Sequence, residues 1–310
     1  MDIPKMMNAV RLHKAGGPAG LAYEQVSTPQ PKAREVLVRV FAASITRDEL
    51  DWPVNRLPAI PSYEFSGVVT ALGSGVAGFS VGEPVYALSP FDRDGAAAEY
   101  MVIPEEFLAS KPQTIDHIQA ASVPLAALTA WQGLFEHGQL TKDQRVLIHG
   151  AAGGVGSFAV QLAHQHGAYV IGTVSTMNIA AARKLGTDEV IDHNNMRFEE
   201  LVEEADLVFD TAGGDRLERS SSVVRRGGRL VSVATEPSQE LAAAHGYTAI
   251  YFVVSPNGGQ LAELAQLVDQ GKLLSAIDKV FPLTRAREAF ERSLIPHTAG
   301  KIVLRISDQV

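Results

Sequence analysis

The sequence predicts an α/β protein in which a β-rich domain is split around an inserted domain of alternating strands and helices. Residues 7–110 contain short β-branched and apolar runs between Gly and Pro turns, with little helical periodicity. From about Pro124, apolar strands alternate with amphipathic helices, which is typical of βαβ units and a parallel sheet. The C-terminal part returns to short strands around one helix. We therefore expect three segments: 1–123, 124–270 (the insert) and 271–310.

Composition limits the function classes that suit this chain. Its 310 residues, 46% hydrophobic and 20% charged, are ordinary for a globular protein of about two domains. The net charge of −8 argues against nucleic acid or an anionic membrane as the main partner. The absence of cysteine excludes disulfides, thiolate catalysis and cysteine-ligated metal sites. Because no apolar stretch reaches membrane-spanning length and the first residues do not resemble a leader, we expect a cytoplasmic protein.

The elements follow the same patterns in chain order. In the first segment, turns separate apolar runs such as EVLVRVFAAS, FSGVVTALG and EPVYALS. In the insert, helical segments separate the predicted strands RVLIHG, AYVIGTV, EVID, DLVFDTAGG, GRLVSVA and TAIYFVV. The helices GGQLAELAQLVDQGK and TRAREAFERSL follow, and the last predicted strand is KIVLRI.

The stretch HGAAGGVGSFAV carries the strongest functional signal. It follows one predicted strand, opens a helix and precedes a second strand, which is the context that a dinucleotide-binding loop requires. Gly153 allows close approach of a pyrophosphate, Gly156 allows close packing of helix and strand, and Gly154 and Val155 belong to the same loop, before a helix that is predicted to begin at Ser157. Ala151 replaces the first glycine of the G-x-G-x-x-G pattern. The alternative is a glycine-rich turn without a ligand.

The segment after the second strand favours NADPH over NADH. Sites that prefer NADH place an Asp or Glu there, but no acidic residue occurs from Gln144 through Thr187. Ser175 and Asn178 instead offer uncharged donors to a 2′-phosphate. Arg183 and His193 are candidates to reach the phosphate, and His193 is interpreted equally well as a solvated turn residue.

Four motifs together resemble the medium-chain dehydrogenase/reductase superfamily, and more closely its zinc-free, zeta-crystallin-like quinone oxidoreductase branch. The resemblance covers nearly the whole chain and implies a GroES-like catalytic domain split around a Rossmann domain. It also implies a nicotinamide bound between the two domains and a homodimer. The motifs are AAGGVG, PSYEFSGVVTALGSGVAGFSVGEPV, VPLAALTAWQGL and GKIVLRI.

The resemblance also implies that no zinc is bound. Zinc-dependent members place a Cys, a His-Glu pair and a third ligand where this chain has Thr46, Tyr63 with Glu64, and Leu125. These residues do not make a tetrahedral nitrogen and sulfur site. The implied reaction is hydride transfer to an electrophilic small molecule, a quinone or an α,β-unsaturated carbonyl compound. Relatives carry GHE-like or GSD-like triplets where this chain has SYE, so Ser62 and Tyr63 are departures from the pattern.

Further cofactor contacts are implied by position. Thr129 matches a place beside the nicotinamide, although a helical threonine also bonds to its own backbone. Thr211 ends a strand at the cofactor edge of the sheet. The backbones of Val233 and Val254 match carboxamide partners, and as apolar residues both are explained equally well as core.

The expected substrate pocket comprises Thr46, Trp52 and Tyr63. Tyr63 is the one of these that could donate a proton to the reduced acceptor, while an aromatic ring filling the place of a metal site is the plainer interpretation. Asp48, Glu49 and Asp51 nearby are interpreted as a solvated loop.

Two other functions remain open at this point. One is a redox-inactive NADPH-binding sensor or structural protein, because the cofactor motifs are stronger than any catalytic signature. The other is an enoyl-thioester reductase, which needs a basic entrance for the phosphates of its carrier. The loop WPVNRLPAIP offers only Arg56 for that purpose.

Overall fold

The computed structural model describes residues 3–52, 54–295 and 300–307. Contacts divide the chain into two compact units. The split unit consists of Met1–Leu125, Pro256–Gly271 and Ser275–Val310, and the inserted unit consists of Ala126–Ser255 and Lys272–Leu274. The helix in Pro256–Gly271, which the sequence analysis assigned to the insert, therefore groups by its contacts with the split unit.

The secondary structure alternates as the sequence predicts. The strands are β1 (Met6–Leu12), β2 (Leu21–Ser27), β3 (Glu35–Ile45), β4 (Glu64–Leu72), β5 (Pro84–Leu88), β6 (Tyr100–Pro104), β7 (Leu108–Ser110), β8 (Arg145–His149), β9 (Tyr169–Val174), β10 (Glu189–Asp192), β11 (Ala205–Asp210), β12 (Val224–Ser232), β13 (Thr248–Tyr251), β14 (Ile277–Pro282) and β15 (Lys301–Arg305). The helices are α1 (His117–Ala121), α2 (Pro124–Trp131), α3 (Gly154–Gln165), α4 (Ile179–Lys184), α5 (Asp215–Arg219), α6 (Gln239–His245), α7 (Gly258–Asp269) and α8 (Ala286–Ser293).

The split unit is built on a sheet of order β14-β15-β3-β4-β5-β7, with β6 paired to β3. Its pairings are antiparallel except that between β14 and β15. The hairpin β1-β2 packs with α8 and β15 around an apolar cluster that includes Leu12, Leu21, Phe290 and Leu304. The C-terminal strand β15 pairs directly with β3, so the first and last parts of the chain form one sheet. This pairing is the physical basis of a domain split by an insertion.

The inserted unit is a parallel sheet of order β10-β9-β8-β11-β12-β13. Numbered within the unit, this order is 3-2-1-4-5-6, that of the doubly wound dinucleotide-binding fold. The central strands β8, β9 and β11 are almost wholly buried, as expected for a parallel sheet covered on both faces. The predicted α/β architecture, a GroES-like domain split around a Rossmann-type domain, is confirmed. Among the described residues, no helix has the length and apolar character needed to span a membrane.

Candidate functional site

The glycine loop lies where the strand order of the inserted unit reverses. It follows β8, and the neighbouring strand β11 ends just before Thr211. Ligands of open parallel sheets bind outside the carboxyl ends of the strands at such a switch point. Thr211 Oγ1 donates a hydrogen bond to the carbonyl of His149 over 2.7 Å. A Cβ on Gly150, whose φ is 74°, would lie 2.8 Å from that hydroxyl. The structure thus brings Thr211 onto the glycine loop.

Two glycines shape the entrance to α3. A Cβ on Gly156 would lie 2.1 Å from the carbonyl oxygen of Gly150, so only glycine permits this approach of helix and loop. The helix begins at Gly154, earlier than the sequence suggested, and its N-cap is Gly153 with φ −76° and ψ 179°. Gly153 has no side chain that could accept hydrogen bonds from the N–H groups of the first turn. These N–H groups and the helix dipole fit a pyrophosphate.

The alanine that interrupts the glycine pattern has a structural explanation. Ala151 is fully buried, and a Cβ on Gly172 of the neighbouring strand β9 would lie 2.8 Å from its methyl group. The glycine at 172 therefore makes the space that the alanine at 151 occupies.

The segment after β9 forms a short turn. Asn178 donates to the carbonyl of Ser175 over 2.9 Å and to its hydroxyl over 3.2 Å. Sequence reasoning missed that Asp192, the last residue of β10, is aligned with the end of β9. Its carboxylate accepts a 2.6 Å hydrogen bond from Thr176 Oγ1. An acidic residue therefore lies beside this segment although none lies within it.

The carboxylate of Asp192 is already engaged in local hydrogen bonds. It also accepts from the Asn194 backbone N–H over 3.0 Å and from the Asn195 side chain over 2.7 Å. These hydrogen bonds, with the one from Thr176 the largest contribution, lower its pKa. Asp192 thus acts as the acceptor that closes the turn after β10.

The remaining predicted cofactor residues lie at several places in the inserted unit. Thr129 is buried in α2, and His193 follows β10, with its backbone N–H bonded to the carbonyl of Val174. Val233 directly follows β12, whereas Val254 is buried three residues beyond the end of β13. Their roles toward a cofactor stay predictions.

An aromatic cluster in the split unit contains two of the three predicted pocket residues. The ring centroids of Trp52 and Tyr63 are 5.6 Å apart, and Phe91 lies 4.9 Å from Trp52 and 5.3 Å from Tyr63. Arg56 donates from Nη2 to the Tyr63 hydroxyl over 3.4 Å and to the carbonyl of Arg93 over 2.8 Å. Sequence reasoning missed both Phe91 and the contact of Arg56 with the phenol. The guanidinium of Arg56 is engaged within the unit rather than displayed at an entrance.

Burial raises the pKa of Tyr63 further above neutral pH. The side chain is fully buried, and this burial raises its pKa to about 12 although the neighbouring charge of Arg56 opposes the shift. The phenol therefore carries its proton at neutral pH, as a donor must, and its ring fills space as a packing residue does.

Glu49 lies inside the split unit, and the interpretation of its loop as solvated is wrong at this position. The residue is 1% exposed, and its two carboxyl oxygens accept from the backbone N–H groups of Thr46 (3.0 Å) and Ser62 (3.1 Å). Burial, reinforced by the charge of Glu64, raises its pKa to about 8. Asp48 and Asp51 are exposed, as expected. Sequence pattern alone does not distinguish the one buried acid in this run.

Glu64 is held by a buried cation. Lys301 Nζ lies 2.6 Å from Glu64 Oε1, and the other carboxyl oxygen accepts the Leu125 backbone N–H over 2.9 Å. Both side chains are almost wholly buried. A buried carboxylate needs such compensation, since an unpaired charge in the interior is strongly unfavourable.

These residues do not fit a zinc ion. Thr46 and Tyr63 supply a hydroxyl and a phenol, Leu125 supplies no ligand atom, and Glu64 is bound to Lys301. Within the residues that the structure describes, no three His, Cys, Asp or Glu side chains are grouped to hold a metal. Protein zinc sites use nitrogen, sulfur and carboxylate ligands, so we derive no catalytic step through zinc.

Two protein-family profiles match parts of this chain. The profile described as "Alcohol dehydrogenase GroES-like domain" covers residues 32–113. The profile described as "Zinc-binding dehydrogenase" covers residues 185–304.

Individual proteins match along nearly the whole chain. An Arabidopsis thaliana protein named NADPH-dependent alkenal/one oxidoreductase, chloroplastic, is 33% identical over 98% of this chain and 80% of its own length. The chloroplast envelope quinone oxidoreductase homolog of the same plant is 30% identical over 97% of this chain and 98% of its own. The solved structure of the quinone oxidoreductase from Coxiella burnetii superposes with a TM-score of 0.92 at 32% identity, covering 98% and 100% of the two chains.

Proposed function

This chain belongs to the medium-chain dehydrogenase/reductase superfamily and is a nicotinamide-dependent oxidoreductase of small molecules, and we propose that it transfers hydride from NADPH to a quinone or an α,β-unsaturated carbonyl compound without zinc. The observation that carries the proposal is the glycine loop at the switch point of the parallel sheet. The N-cap of its helix α3 is Gly153, which leaves the first-turn N–H groups without a side-chain cap.

In this proposal, some residues bind the phosphates of the cofactor and others orient its nicotinamide. The loop from Gly153 through Gly156 holds the pyrophosphate, and Thr211 supports the loop through its bond to the His149 carbonyl. Ser175 and Asn178 shape the adenosine side, while Thr129 and the backbones of Val233 and Val254 orient the nicotinamide. When bound, the reduced nicotinamide supplies the hydride. The protein contributes orientation and exclusion of water.

The absence of a zinc ligand set favours an acceptor that is already electrophilic. Quinones and enones accept hydride without a metal to polarise them, and relatives of this chain carry names that specify both classes. Thr46, Trp52 and Tyr63 form the acceptor side in this proposal. Tyr63 serves there mainly as an aromatic wall that fills the place of the metal ligands. Residence in the cytoplasm and homodimerisation also belong to the proposal.

The loss of NADPH absorbance tests this function directly. The purified chain is given an ortho-quinone or an alkenal with NADPH, and each assay is repeated with NADH and after incubation with a metal chelator. We expect turnover that prefers NADPH and survives chelation. Loss of activity on chelation would refute zinc independence. Tight NADPH binding without turnover of either acceptor would favour a sensor or structural protein instead.

A further inference from the structure

The inserted unit contains a basic cavity that the proposed roles above do not use. Its volume is about 570 Å³, within the range of small-molecule sites. One wall comes from the residues that follow β10, and the other comes from α5, which follows β11. The lining residues are His193, Met196, Arg197, Phe198, Asp215, Arg216 and Arg219.

The cavity adjoins the strand that leads into the glycine loop. The ring of Phe198 lies 4.7 Å from that of His149, the residue directly before Gly150. His149 Nε2 is also 2.8 Å from the hydroxyl of Ser220, which follows α5. Both walls of the cavity are therefore in contact with the end of β8. A dinucleotide that sits with its pyrophosphate on this loop places its adenosine at the carboxyl ends of the neighbouring strands.

The charges around the cavity leave one arginine without an anion. Glu199 accepts hydrogen bonds from both Arg197 and Arg219, each at 2.7 Å. Burial raises the pKa of Glu199, but hydrogen bonds from its own backbone N–H and then from Arg219 and Arg197 outweigh this effect and bring the pKa to about 2. Asp215 is mostly exposed, and it pairs with Arg219, whose Nε lies 3.5 Å from the carboxylate. Within the described residues, Arg216 has no ion pair, and its Nε is buried without a hydrogen-bond partner.

A second observation agrees that positive charge is concentrated here. The pKa of His149 falls to about 3, first because the ring is fully buried and then because Arg216 and Arg219 repel a proton on it. The acid nearest the segment after β9 is Asp192, whose oxygens are occupied by Thr176, Asn194 and Asn195. Its carboxylate is thus engaged in closing the turn after β10, and it lies at the end of the third strand of the unit, not of the second, where the acid of an NADH site stands.

We infer that Arg216 selects NADPH by binding the 2′-phosphate of its adenosine, with Arg219 and His193 beside it in the same cavity. This inference rests on the proposed function for the choice of ligand. A guanidinium suits a phosphate monoester because its planar donors match the phosphate oxygens. The cation comes from α5, which the sequence analysis did not consider. Of the two candidates named there, His193 lines the cavity and Arg183 is not among the lining residues.

Binding of NADPH, NADH, 2′,5′-ADP and 5′-AMP to the full chain tests the inference. Arg216→Gln should weaken NADPH and 2′,5′-ADP by about ten- to hundredfold, the loss expected for charge-assisted hydrogen bonds, and change NADH and 5′-AMP by less than about threefold. Arg216→Lys should recover part of the loss, because it restores the charge without the planar donors. Circular dichroism and the unfolding midpoint of each variant show whether the fold is retained.

Two further arginine variants sharpen the comparison. Arg226→Gln is the matched control. Arg226 is exposed near the amino-terminal end of β12, whereas the cavity adjoins the carboxyl end of β8 in the same parallel sheet. It should bind all four ligands as the unchanged chain does. Arg183→Gln tests the exposed arginine that the sequence suggested for the phosphate. An NADPH-specific loss in Arg183→Gln, or equal losses for NADPH and NADH in Arg216→Gln, would overturn the inference.

The outcome is separable from that of the proposed function. If the unchanged chain oxidises NADPH with a quinone or alkenal and Arg216→Gln keeps the preference over NADH, only the inference fails. If 2′,5′-ADP binds in an Arg216-dependent manner but neither acceptor is reduced, only the proposed function fails. Failure of 2′,5′-ADP to bind more tightly than 5′-AMP would also refute the inference.

Discussion

Replacing Gly153 by aspartate separates the binding role of the glycine loop from its structural role. Gly153 is the N-cap of α3 in an extended conformation, which is the conformation that an aspartate N-cap adopts. A Cβ at this position would lie 3.1 Å from the carbonyl oxygen of Gly150, so the loop must shift by only a few tenths of an ångström. The new carboxylate caps N–H groups of the first turn. We expect the free energy of unfolding to stay within about 1 kcal/mol of the unchanged chain.

The same carboxylate should abolish dinucleotide binding. It occupies an N–H group that the pyrophosphate would use, a loss of about 1.5–3 kcal/mol for a charge-assisted hydrogen bond. It also places a negative charge near the phosphates, and two unit charges about 5 Å apart repel by about 3 kcal/mol at an effective dielectric constant of about 20. The sum of about 4.5–6 kcal/mol corresponds to a Kd raised roughly two-thousand- to twenty-thousandfold.

Gly153→Asn is the matched control for the charge. Its amide oxygen caps the same N–H groups without repelling the phosphates, so we expect a loss of only about ten- to hundredfold. Fluorescence titration with NADPH and thermal unfolding of the two variants measure both effects. A folded aspartate variant that binds NADPH as tightly as the unchanged chain would refute the assignment of this loop to the pyrophosphate.

Two predictions concern the buried acid and the strained backbone of the split unit. Glu49 keeps its proton in the folded state up to about pH 8 and releases it near pH 4.5 when unfolded. The folded state thus binds more protons in this interval, and the free energy of unfolding falls as the pH rises through it. Glu49→Gln should flatten that slope in urea unfolding curves, and an unchanged slope would contradict the raised pKa. Ser62 has a φ of 68°, and its buried hydroxyl has no hydrogen-bond partner among the described residues. Ser62→Gly should therefore stabilise the fold by about 0.5–1 kcal/mol, the relief of left-handed strain less the added unfolded-state entropy, and a lower unfolding midpoint would refute this.

The sequence predicted the features of this protein that depend on local patterns. Continuous apolar runs between amphipathic helices indicated the parallel sheet, because strands covered on both faces have no polar side. The glycines of HGAAGGVG indicated the phosphate loop, because close backbone approach excludes a Cβ. The family resemblance carried by the sequence motifs implied that Thr46, Tyr63 and Leu125 stand where zinc-dependent members have ligands, and their side chains differ from the usual zinc ligands.

Only the tertiary structure decided which distant side chains meet. Glu49 is one of three acidic residues in a short run, and the sequence does not distinguish it from the exposed Asp48 and Asp51. Packing of the fold buries Glu49 and raises its pKa. Lys301 reaches Glu64 from the other end of the chain because β15 pairs with β3. Arg216 enters the cavity beside β8 because β11 lies next to β8, although 66 residues separate it from Gly150 in sequence. Strand order and burial are properties of the whole fold, so no local pattern encodes these contacts.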